Sequence, residues 1–111
     1  MTNTFYLALQ SDVYSEVQRT ETIRQQWFGG CVPLKQDREA AVQAAGEAYR
    51  LRGNRDPFNV IELNVTDTIV TSWVMGDGIQ IVPWLRGWRV FADIGIDDTN
   101  VTISNAVRMK P

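Results

Sequence analysis

The residue types present limit what chemistry this chain could do. Histidine is absent and Cys31 is the only cysteine. Ser-His-Asp and Cys-His catalysis, histidine metal ligation, a cysteine zinc site and an internal disulfide are therefore excluded. Neither G-x-x-x-x-G-K-[ST] nor G-x-G-x-x-G occurs. An enzyme would have to work with carboxylates, Tyr, Arg, Lys, Ser or Thr. Cys31 follows Gly29-Gly30 and could be an exposed nucleophile, but without a histidine it reads more simply as an inert loop thiol. Glu62, beside Asn64, could be an acid on an open sheet face or an ordinary outward-facing residue. Asp93, Asp97 and Asp98 could offer oxygen to a hard cation. Aspartate is also common in turns, and the EF-hand spacing is missing. The expectation is no catalytic residue, no metal and no cofactor.

Binding has better material. Four tryptophans in 111 residues is a high load, and Trp84 and Trp88 flank Arg86, with Arg89 adjacent. Trp and Arg dominate interface hot spots, so Trp84, Arg86, Trp88 and Arg89 could form a surface for a protein or nucleotide partner. Trp also closes small antiparallel sheets, and the two readings stand level. The net charge of −2, from 11 basic and 13 acidic residues, lacks the basic excess of a nucleic-acid surface. Arg86, Arg89, Arg108 and Lys110 could still form a local basic patch.

The elements that must hold these groups centre on residues 32–65. Val32-Pro33-Leu34 reads as a short extended piece. Asp37 is a good helix N-cap, Glu39 favours the positive end of the helix dipole, and Arg50 and Arg52 suit the other end before Gly53 as a left-handed C′ residue. Ala41, Val42, Ala45, Ala48, Tyr49 and Arg52 share one face at three- and four-residue spacing, small enough to lie close on a sheet. A turn at Gly53–Pro57 leads to a strand over 58–65. There Ile61, Leu63 and Val65 alternate with Val60, Glu62 and Asn64, and one face should pack under that helix.

Before this unit, Phe5-Tyr6-Leu7-Ala8-Leu9 predicts an uncharged, central first strand. Ser11-Asp12 can cap a helix from Val13 to about Gln26, weakened near Thr20-Glu21-Thr22, and Gly29-Gly30 marks a turn. After it, Thr66-Asp67 reads as a turn, Ile69 to Met75 as strand, and Gly76-Asp77-Gly78 as a hairpin to Ile79–Val82. Pro83 breaks that ladder or places it at an edge. Trp84–Trp88 is a turn or bulge, 89–94 a strand, Asp97–Asn100 a turn, and Val101 to Val107 the last strand. The prediction is one α+β domain over residues 1–111, with two helices in the first half packed on a mostly antiparallel sheet of five to six strands. With 44% apolar residues the chain should fold. It has no bilayer-length apolar run and its first residues lack a signal-peptide n-region, so a cytoplasmic setting is expected.

Phe5-Tyr6-Leu7-Ala8, the Gly-containing loop, Val32-Pro33-Leu34, the helix opening Asp37-Arg38-Glu39-Ala40-Ala41 and Val60-Ile61-Glu62-Leu63-Asn64-Val65 together resemble small ADP-ribosyltransferase-like domains, a group that includes RNA 2′-phosphotransferases. The resemblance covers the first two thirds of the chain. It implies a nucleotide pocket built from Tyr6, Arg24, Tyr49 and Glu62 or Asp93. The first functional expectation is a non-catalytic interaction protein, an inhibitor or accessory factor encoded by a phage or mobile element, using its Trp/Arg surface on a protein partner. The alternative is an ADP-ribosyltransferase-like nucleotide-binding enzyme or a degenerate relative. Nucleic acid is the less favoured partner, no membrane role is expected, and oligomeric state is left open.

Overall fold

The computed structural model describes residues 2–53 and 56–110. The elements are β1 (Thr2–Gln10), α1 (Ser11–Thr20), β2 (Thr22–Ile23), a 3-10 turn (Gln25–Phe28), β3 (Val32–Lys35) and α2 (Arg38–Leu51). Then come β4 (Phe58–Thr66), α3 (Asp67–Met75), β5 (Ile79–Val82), a second 3-10 turn (Pro83–Leu85), β6 (Gly87–Val90), β7 (Ile94–Gly95) and β8 (Val101–Met109). Six strands form one sheet in the order β5-β6-β3-β1-β4-β8, every pair antiparallel, and β2 pairs β7 apart from it. This is the expected α+β class, with β1 central.

The sheet is covered on both faces. Phe5, Leu7 and Leu9 of β1 and Ile61, Leu63 and Val65 of β4 point to one face, where Val17 of α1 and Trp73 of α3 join them. On the other face, Ala41, Ala45 and Tyr49 of α2 pack on Phe58 and Val60. The alanine-faced helix thus covers the opposite side of β4 from the Ile61-Leu63-Val65 set. Strand alternation sends that set to the thicker layer, where large side chains fill the space under two helices. The small residues of α2 need only the shallower face.

Both predicted ends of α2 are present. The Asp37 carboxylate accepts from the Ala40 N–H at 2.7 Å, and Gly53 has φ 70°. Asn54 and Arg55 of the expected turn lie outside the described residues. The first helix stops at Thr20, where Glu21 turns left-handed with φ 54°, so its weak second half becomes β2 and a 3-10 turn. Its cap differs too: Gln10 is the N-cap, with no side-chain cap bond.

The largest departure is Ile69 to Met75, which is helix and not strand. Its β-branched residues favour a strand by propensity, but Ile69, Val70 and Trp73 all pack into the core, at a spacing only a helix places on one side. Tertiary packing overrides propensity here. Gly76-Asp77-Gly78 accordingly ends a helix and is not a hairpin turn. The segment expected as one strand over 89–94 is split into β6 and β7.

Candidate functional site

Along β1 the two ladders are unequal. β4 pairs with all nine residues of β1, whereas β3 shares the single register pair Tyr6↔Lys35. Continuing that register would set Pro33 opposite Ala8. Proline has no N–H to give to a ladder, so the strands separate where β1 runs on to Gln10. A cleft of about 440 Å³ occupies the gap. Ala8 and Gln10 of β1, Trp27 and Phe28 of the first 3-10 turn, and Ala45 and Ala48 of α2 form much of its wall. Gly29 and Gly30, with φ 80° and 116°, let the chain leave that turn in a conformation other residues rarely adopt.

Charge reaches the cleft at Lys35 and Arg52. Burial, with Arg89 and Arg86 nearby, holds the Lys35 amine below the ordinary lysine range. The Arg52 guanidinium lies 5.6 Å from the centre of the Tyr49 ring, a cation–π distance. Burial raises the Tyr49 phenol above its ordinary value; Arg52 opposes this and Asp12 adds to it. Tyr49 also meets Phe58 edge to face at 5.3 Å.

The residues implied by the resemblance are dispersed. Tyr49 lines the cleft. Tyr6 and Glu62 are cross-strand neighbours on the α2 side; the Tyr6 hydroxyl donates to Glu62 at 3.4 Å. Arg38 stacks over Tyr6 at 5.6 Å and reaches Glu62 at 3.9 Å. Arg24 precedes the first 3-10 turn, and the Asp93 carboxylate accepts from the Gln25 N–H there at 2.9 Å. Asp97 accepts from the Thr99 and Asn100 N–H groups, which holds its carboxyl below the usual range. Among the described residues no group of three or more Cys, Asp or Glu could hold a metal.

The Trp/Arg stretch divides along the strand. Trp88 is half-buried and packs on Phe5 with ring centres 4.9 Å apart. Arg89, its neighbour on β6, faces the other side and donates to Gln80 at 3.2 Å. Trp84 lies on the second 3-10 turn, 81% exposed, with Ile81 also exposed. Arg86 follows with φ 51°. It pairs with Asp37 at 3.3 Å, and its carbonyl accepts from the Gln36 N–H at 2.9 Å, which ties this turn to the start of α2. Arg108 sits on β8 at the far edge of the sheet from Arg86 and Arg89, so the four C-terminal cations form no single patch.

Sequence reasoning singled out neither Lys35 nor the Trp27-Phe28 pair. The available signal was an alanine face too small to fill a groove, facing a proline in the neighbouring strand. Among the described residues no helix is long and apolar enough to cross a membrane. No family model, curated protein or solved structure matches the chain significantly.

Proposed function

We propose that the chain is a non-catalytic interaction protein, an inhibitor or accessory factor, that docks a protein partner through the Trp84 turn. The supporting observation is Trp84 itself, a tryptophan 81% exposed on a turn anchored to α2. A large aromatic held out by a rigid turn loses little conformational freedom on binding and buries much apolar area, the profile of a hot spot. Arg86, on the same turn, favours an acidic rim on the partner. Trp88 supports the turn from within, through Phe5. The nucleotide-binding alternative has Tyr49, one of its five residues, on the cleft wall.

The test is affinity capture from cell extract with the wild-type chain and with Trp84→Ala/Arg86→Ala, thermal unfolding serving as the fold control. A protein recovered stoichiometrically by the wild type and lost with the folded variant supports this reading. Equal recovery by both forms rejects it.

A further inference from the structure

The cleft between β1 and β3 has a chemistry that the Trp84 turn does not use. Its volume, about 440 Å³, falls within the range of small-molecule sites, and apolar side chains make most of its wall. Lys35 and Arg52 are the charged residues that line it; no carboxylate among the described residues does. The lining is elongated: from Ala41 to Arg52 the helix rises about 16 Å at 1.5 Å per residue.

The two ends of the cleft differ. Lys35 is separated from α2 only by Gln36 and Asp37, so it lies towards the positive end of the helix dipole. Arg86 and Arg89 are near enough to repel its charge, and Arg86 is itself paired with Asp37. Arg52 sits at the negative end of α2 and is engaged with the Tyr49 ring. A ligand fitting these walls has an apolar body and one anionic end, placed at Lys35. We infer that the cleft binds an elongated apolar carboxylate of the medium-chain fatty-acid type, its headgroup at Lys35 and its tail along the alanine face of α2 towards Tyr49.

Decanoate, titrated into the full chain below its micellar concentration and followed by calorimetry, tests this, with decanol and ADP-ribose as parallel ligands. The expected result is one decanoate per chain. Lys35→Met keeps the aliphatic stem and should weaken decanoate about tenfold, the scale of one charge-assisted hydrogen bond, while decanol is unaffected; Lys35→Gln should behave alike. Ala48→Phe, or Ala44→Phe at a more exposed lining position, should abolish binding of both ligands with the fold retained. Trp84→Ala should leave decanoate binding unchanged, which separates this site from the partner surface. Absence of decanoate binding, undiminished binding in both folded cleft-filling variants, or equal loss of decanoate and decanol with Lys35→Met would overturn the inference. So would ADP-ribose binding more tightly than decanoate in competition with it.

Discussion

Replacing Gly87 with alanine should strain the junction that the Trp84 turn and the cleft share. Gly87 stands in β6 opposite Lys35 of β3 and Val82 of β5. A Cβ there would lie 2.5 Å from the Leu34 carbonyl oxygen and 2.9 Å from Lys35 Cδ. The lysine chain can swing aside. The carbonyl cannot, because it belongs to the backbone of a strand paired from Val32↔Val90 to Lys35↔Gly87. The β3–β6 ladder must therefore move. Overpacking of this kind costs about 1–3 kcal/mol, and a weakened ladder hydrogen bond adds about 1 kcal/mol, giving roughly 2–4 kcal/mol. In a domain of 111 residues, about 4 °C per kcal/mol makes a fall in Tm of roughly 8–16 °C. Gly95→Ala is the matched control: no atom lies within 4 Å of its added Cβ and its φ is not positive, so its stability should change by less than about 0.5 kcal/mol. Thermal and urea unfolding followed by far-UV circular dichroism measure both. Equal melting temperatures for the two variants would refute the steric reasoning.

Asp37→Ala should cost about 1 kcal/mol through loss of the α2 cap, whereas Asp37→Asn keeps a capping oxygen and should lose only a few tenths through Arg86; urea midpoints separate the two. Gly46→Ala, in the interior of α2 with open space around it, should stabilise by about 0.5–1 kcal/mol, and an unchanged or lower midpoint would contradict this. The raised Tyr49 pKa favours the neutral phenol in the folded state. Its contribution is therefore fully present below the ordinary value of 10.0 and is lost as pH rises past the folded-state value. Tyr49→Phe should flatten the alkaline fall in urea midpoint while leaving the neutral-pH value nearly unchanged, and an identical alkaline limb would remove that assignment.

Local signals settled much of this chain. Asp37, the alanine spacing and Gly53 specify α2 because capping and periodicity act within one or two turns of backbone. The uncharged Phe5–Leu9 run specifies a central strand because charge is costly when both faces are covered. The missing histidine and single cysteine removed whole classes of chemistry without reference to any fold. Three matters required the assembled molecule. Ile69–Met75 became helix because burying Ile69, Val70 and Trp73 together outweighed β-branched propensity. Trp84 and Trp88, alike in sequence, took opposite roles because one sits on a turn and the other on a strand against Phe5. The cleft exists because Pro33 met β1 across a ladder it could not complete, and only strand pairing decides which residue a proline faces.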